Sequence, residues 1–181
     1  MQNLLNQDFK DFEIIIGNDY IENFLSSSSL NIFDERVKFI NNVKNLGELD
    51  NMNFLLQEAK GKYFTWQFDD DPCLPNFLRK IATAITKYNN PECIFTNFQT
   101  LYGDDEINLN FEDKNNDKCF TGKEFLKKYL DNKLQALGCC GFYRLDYLKR
   151  LGGVTRLSKG KMALFSEYLL LVNQGLADKV V

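Results

Sequence analysis

The chain has 181 residues, 44% hydrophobic and 14% aromatic, with 22 basic and 25 acidic residues and a net charge of -3. This length and apolar content suit one globular domain and exclude a disordered chain. The near balance of charge, with no long basic run, excludes an electrostatic grip on a polyphosphate backbone, so no nucleic-acid partner is expected.

Residues 12–16 are a β-branched apolar run ending in Gly17-Asn18-Asp19, which predicts a buried strand entering a turn. Residues 20–34, with serines at 26–29, predict a loop or weak helix, and residues 37–40 a second short strand. Within 51–60, Met52, Leu55, Leu56 and Ala59 recur at helical spacing, and Gly61 follows as a stop. Residues 63–68 alternate, with Phe64, Trp66 and Phe68 on one face, and run directly into Asp69-Asp70-Asp71-Pro72. The acidic triplet is therefore expected at the carboxyl end of a strand.

A helix over 75–87 and a strand over 93–99 continue the alternation, and residues 102–118 read as polar, acidic and irregular. Thr121 and Glu124 have the spacing of a capping box and open a helix through about residue 129. A further helix over 145–151 closes on Gly152-Gly153, and another is expected over 163–174. Alternating strands and helices predict an α/β sheet, and no repeat or linker divides the chain.

The five cysteines, Cys73, Cys93, Cys119, Cys139 and Cys140, show no zinc spacing and no disulfide framework. They are expected to be reduced and mostly buried, in a reducing compartment such as the cytoplasm. No signal peptide is read near Met1, and no apolar run approaches the ~20 residues of a membrane helix. Histidine is absent, so catalysis must rest on carboxylates, hydroxyls or thiols.

Ligands of open α/β sheets gather beyond the carboxyl ends of strands, where Asp19 and Asp69 to Asp71 are expected. Three successive carboxylates repel one another unless a cation offsets the charge, and oxygen donors suit Mg²⁺ or Mn²⁺. Alternation along an extended strand puts Asp69 and Asp71 on one side and Asp70 on the other. Taken alone, the triplet reads equally as an ion site or as a solvated acidic turn closed by Pro72.

Further residues widen that context. Asn45-Leu46-Gly47, Asn53, Ala59-Lys60-Gly61-Lys62-Tyr63, the acidic triplet and Leu74-Pro75 follow one another in an order and spacing that resemble the central signature of family 2 glycosyltransferases. Leu4 to Gln7 and residues 11–16 are similar to the end of that family's first helix and its second strand. Gly138 to Arg144, residues 145–148 and Leu151-Gly152-Gly153 are similar to its acceptor-side segment.

The resemblance implies a GT-A fold, a Rossmann-like mixed sheet flanked by helices, and metal-dependent transfer of a sugar from a nucleotide-sugar donor to a hydroxyl acceptor. It places Asp19 at the base or ribose, Asn53 among the residues that bind the nucleotide-sugar, Asp69 at the ribose or diphosphate, Asp70 on the metal, and Asp71 as a supporting or alternative ligand. Ser166-Glu167 falls near the family's general base, so Glu167 is the candidate base; an exposed helix glutamate is the competing reading. Asp19 has a competing reading as a turn carboxylate. Arg144 reads as half of a structural ion pair, Trp66 and Tyr63 as core residues, and Lys60 and Lys62 as a solvated helix end.

The implied setting is surface polysaccharide or glycoconjugate assembly, with a glycan, lipid-linked or protein acceptor and room for peripheral membrane association. The family's opening strand is not found before Leu4, and a strand begins near the end of the chain. Residues 1–181 are therefore expected to form one incomplete domain, with a nucleotide-sugar part over 1–100 and an acceptor part over 101–181. A catalytically inactive remnant is the alternative, and a phosphohydrolase or phospho-acceptor domain is a third reading that leaves Asn53 and the acceptor-side segment unexplained.

Overall fold

The computed structural model describes residues 1–68, 71–98, 117–157 and 166–181, without the side chains of Cys139 and Glu167. The elements are α1 (Gln2–Leu5), β1 (Ile14–Asn18), α2 (Ser27–Leu30), β2 (Val37–Asn41), α3 (Glu48–Glu58), β3 (Tyr63–Phe64) and α4 (Phe77–Lys87). They continue with β4 (Cys93–Phe95), α5 (Gly122–Leu130), β5 (Gly141–Arg144), α6 (Leu145–Arg150) and α7 (Ser166–Asn173). Short 3₁₀ turns lie at Gly138–Cys140 and Gln174–Leu176.

The expected mixed α/β architecture is present as two sheets. β1 and β2 run parallel, in register from Ile14 opposite Val37 to Asn18 opposite Asn41. β5 lies between β3 and β4 and is antiparallel to both, so a strand from late in the chain sits between two earlier ones. Successive β5 side chains serve opposite faces. Tyr143 joins the main core with Leu56, Phe125, Leu148 and Val180, while Phe142 joins Ile81 and Ile94 beneath α4. Aromatic contacts knit the main core: Phe95 stacks on Phe125 at 5.1 Å, and Trp66 meets Phe64 edge-on at 4.8 Å.

Several boundaries differ from the sequence expectation, for identifiable reasons. β3 pairs only over Tyr63–Phe64, not over 63–68, because Trp66 turns into the core and donates its indole N–H to the Met52 carbonyl at 3.2 Å. A buried indole needs such a partner. α3 starts three residues before 51, where Glu48 and Asp50 place negative charge at its amino end. β1 begins at Ile14, the first residue paired with β2, and the preceding Glu13 carboxylate accepts the N–H groups of Lys60 and Gly61 at 2.7 and 3.1 Å.

The serine run does form a helix turn, closed by a capping box between Ser26 and Ser29. The Thr121–Glu124 capping box is also present, and its hydrogen bonds hold the Glu124 carboxyl below its ordinary pKa. Of the cysteine expectation, only Cys93 is buried among the described thiols; Cys73 and Cys140 are half-buried and Cys119 is exposed. Cysteine burial follows the register of each segment, which composition does not encode. Residues 102–116 and 163–165, read above as irregular and as the start of a helix, lie outside the described residues. Among the described residues no helix is long and apolar enough to cross a membrane.

Candidate functional site

Asp19 stands immediately beyond the carboxyl end of β1, as expected, within a dense polar clasp. Its Oδ1 accepts from the backbone N–H of Leu46 at 2.7 Å and from the Asn42 amide at 3.0 Å, and its Oδ2 accepts from the N–H of Gly47 at 2.8 Å. Asn45 donates to the Asp19 carbonyl at 3.0 Å. One carboxylate thereby fixes the Asn45-Leu46-Gly47 turn against the end of β1, and the turn in turn starts α3. Gly47 closes it at φ 80, a conformation that suits a residue without Cβ.

A second layer lies beside this clasp. Asn41 accepts from the N–H of Leu25 at 2.8 Å and donates to the Leu25 carbonyl at 2.9 Å, while Asn18 bridges Asn41 and the Asn23 carbonyl. The backbone beyond β1 is thus tied down by side-chain amides. Asn41 and Asn42 were not singled out from the sequence. The density of asparagine just past two strand ends was the available signal, since such side chains complete backbone hydrogen bonds in turns.

Asn53 sits on α3 and is engaged with the other half of the chain. It donates to the Val154 carbonyl at 2.8 Å and accepts from the Val154 N–H at 2.9 Å. Gly153, at φ +71, makes this approach feasible, because a Cβ there would lie 2.3 Å from the Asn53 Oδ1. One turn away on the same helix, Asp50 pairs with Arg156 at 2.8 Å. The Gly152-Gly153 turn is therefore docked on α3, and Asn53 joins the donor-side and acceptor-side segments of the sequence reading.

Asp71 is exposed, and its backbone carbonyl accepts from the Gln67 side chain at 2.5 Å. It borders a recess of about 210 Å³ shared with Gln67, Phe68, Pro72 and Cys73. Burial pushes the Cys73 thiol above its ordinary pKa, so this thiol stays protonated at neutral pH. Asp69 and Asp70 lie outside the described residues, and no cluster of three potential metal ligands occurs among the described ones. Glu167 lies in the first turn of α7, and its side chain is outside the description.

Arg144 bridges Glu92 at 2.8 Å and Asp146 at 2.7 Å, so it occupies a structural ion pair where β5 passes into α6. Trp66 and Tyr63 serve packing: Trp66 is buried, and burial pushes the Tyr63 phenol up to about 12 while its hydroxyl donates to the Pro91 carbonyl at 2.6 Å. Lys62 donates to the Asn90 side chain.

With this geometry in hand, residues 1–152 match the sequence profile described as "Glycosyl transferase family 2". The chain belongs to glycosyl transferase family 2. Among its relatives, an uncharacterized glycosyltransferase of Haemophilus influenzae is 33% identical over 89 residues, covering 48% of this chain and 28% of that protein. The GalNAc(5)-diNAcBac-PP-undecaprenol beta-1,3-glucosyltransferase of Campylobacter jejuni is 35% identical over 92 residues, covering 49% and 29%. The matched segments thus span under a third of the length of these curated relatives.

Solved structures extend the likeness over 99% of the chain. S. aureus TarS 1-349 in complex with UDP superimposes with a TM-score of 0.70 at 17% identity, covering 99% of this chain and 51% of that one. The complex of TarS 1-349 with UDP-GlcNAc gives 0.68 at 16% identity, covering 99% and 49%. At this identity the likeness shows the fold, which is GT-A. For a family 2 chain of this fold, Asp19 falls just beyond the end of β1, where ligands of such sheets gather.

Proposed function

We propose that this chain carries the donor-binding part of a metal-dependent glycosyltransferase that moves a sugar from a nucleotide-sugar to a hydroxyl acceptor, with inversion, in cytoplasmic assembly of a surface polysaccharide or glycoconjugate. The observation that carries the reading is the anchored Asp19 clasp beyond β1, in a family 2 chain whose acidic triplet follows the β3 segment. The relatives' names support a nucleotide-sugar donor and a lipid-linked glycan acceptor: one is a glucosyltransferase acting on an undecaprenol-linked glycan, and TarS is solved with UDP and UDP-GlcNAc.

In this reading Asp19 contacts the base or ribose from its fixed position. Asp69 contacts the ribose or diphosphate, and Asp70 and Asp71 hold a Mg²⁺ or Mn²⁺ ion. The donor chemistry fits such an ion: the triplet offers oxygen only, and Asp71 is exposed where it borders the recess. When bound, the ion supplies positive charge against the diphosphate of the donor. Asn53 supports the donor side by keeping α3 and the Gly152-Gly153 turn together. Glu167 takes the proton of the acceptor hydroxyl, a role within reach of a carboxylate in a chain that has no histidine.

The test is incubation of the chain with UDP- and GDP-sugars in Mn²⁺, with release of nucleoside diphosphate as the readout. Release that EDTA abolishes and that Glu167→Gln lowers by about 100-fold or more is expected. Absence of release in every donor, together with no nucleotide binding, would instead indicate an inactive remnant.

A further inference from the structure

Gln7 is the only buried residue among the first 46, in a stretch whose strands are half-exposed throughout. A fully buried amide must satisfy its polar atoms, and all but one of the partners of Gln7 lie far away in sequence. Its Nε2 donates to the Leu74 carbonyl at 2.7 Å and to the Asn3 carbonyl at 3.1 Å, with the Cys73 Sγ at 3.7 Å. Its Oε1 accepts from the Leu78 N–H at 2.9 Å.

This last bond has a clear physical role. α4 opens at Asn76 with no side-chain cap of its own, and Leu78 is one of the N–H groups that the first helical turn leaves without a partner. Gln7 supplies that cap from another element. The same amide holds a carbonyl before Pro75 and an N–H after it, so both sides of the Leu74-Pro75 turn are gripped at once.

Neighbouring contacts reinforce the grip. The Asp8 N–H donates to the Pro75 carbonyl at 3.1 Å. Arg79 on α4 donates to the Asp8 carboxylate and to the Asp8 carbonyl, both at 2.7 Å. Residues 7 and 8 thus clamp the turn that ends the acidic segment, and Cys73, two residues after Asp71, lies within that clamp.

We infer that Gln7 is a positioning residue for the donor site: by fixing Cys73 and Leu74 it sets where Asp71, and with it the carboxyl side of the acidic triplet, meets the ion and diphosphate. This rests on the function proposed above. A purely structural cap would give stability alone, whereas a positioning role also gives ion affinity.

Gln7→Met keeps the length of the side chain and removes its polar atoms, and two readouts separate the roles. In a folded Gln7→Met chain, the Leu78 amide, which donates to Gln7, and the Asp8 amide, which donates to the Pro75 carbonyl, should exchange faster by about tenfold, and the affinity for Mn²⁺ in the presence of UDP should fall by about tenfold. Raising Mn²⁺ should then restore UDP binding. Unchanged exchange, or unchanged Mn²⁺ affinity in a wild type that binds Mn²⁺ and UDP, overturns the inference while leaving the functional reading intact. A wild type that binds neither overturns both. If Gln7→Met does not fold, Arg79→Ala cuts the exposed part of the same clamp; faster exchange at the Asp8 amide with weaker Mn²⁺ affinity supports the inference, and an unchanged exchange rate or an unchanged affinity overturns it.

Discussion

The two sheets are held by different physics. The β3-β5-β4 sheet is built on burial: Phe125, Tyr143, Leu56 and Leu148 are fully enclosed, and Phe95 of β4 stacks on Phe125 of α5. The β1-β2 pair has every residue either half-buried or exposed, and its strand ends are organised by asparagine amides and the Asp19 carboxylate. The difference separates tasks. Apolar burial fixes the scaffold, while directional hydrogen bonds shape the loops beyond β1 and β2.

The largest expected effect breaks the comparison if it fails. Phe125→Ala should cost about 3–5 kcal/mol and Ile15→Ala in β1 about 1 kcal/mol, read from urea unfolding. Equal costs would show that the two sheets share one kind of support. Gly153→Ala comes next, at about 2 kcal/mol, because it forces a Cβ into the Asn53 amide at a positive φ. Its signature is loss of the Val154 amide protection.

Asp19→Ala should cost about 1 kcal/mol and leave the Leu46 and Gly47 N–H groups without their acceptor. Faster exchange at those two amides, with the aromatic core unchanged, is the expected result. The regions should also respond to pH in opposite directions. Burial pushes Tyr147 and Tyr63 up to about 12 from an ordinary 10, so the folded state disfavours their phenolates. The stability tied to these phenols is complete below pH 10 and is lost as pH rises toward about 12.

In the β1-β2 region the Arg36 guanidinium beside Asp34 holds its carboxyl down to about 2 from an ordinary 3.8. That contribution is present above pH 3.8 and is lost as pH falls through about 2. Tyrosine absorbance and Asp34 carboxyl shifts followed by NMR check the two limbs. The smallest effect belongs to Val43, which is 98% exposed: Val43→Lys should change stability by less than about 0.5 kcal/mol.

Much of this division was legible in the sequence where the signal is local. The Thr121–Glu124 capping box, the α3 periodicity and the Gly152-Gly153 stop each depend on a few neighbouring residues, and each was found in place. What periodicity could not reveal depends on distant partners. Nothing in residues 141–144 says that they insert between β3 and β4, and nothing near Gln7 says that its amide caps α4. The Asn53–Val154 pairing spans 101 residues, so the sequence marked Asn53 through family resemblance and not through its contacts. Asp69, Asp70 and the Glu167 side chain lie outside the described residues, and their roles stand as proposals.

In the proposed function the acidic triplet and the Asp19 clasp together bind a metal-associated nucleotide. Calorimetric titration of UDP and GDP into the chain, with and without Mn²⁺ and beside Asp70→Ala, tests it most directly. Mn²⁺-dependent binding of one nucleotide, abolished in a folded Asp70→Ala chain, is the expected result. A folded wild type that binds neither nucleotide in Mn²⁺, or binding that Asp70→Ala leaves unchanged, would contradict it.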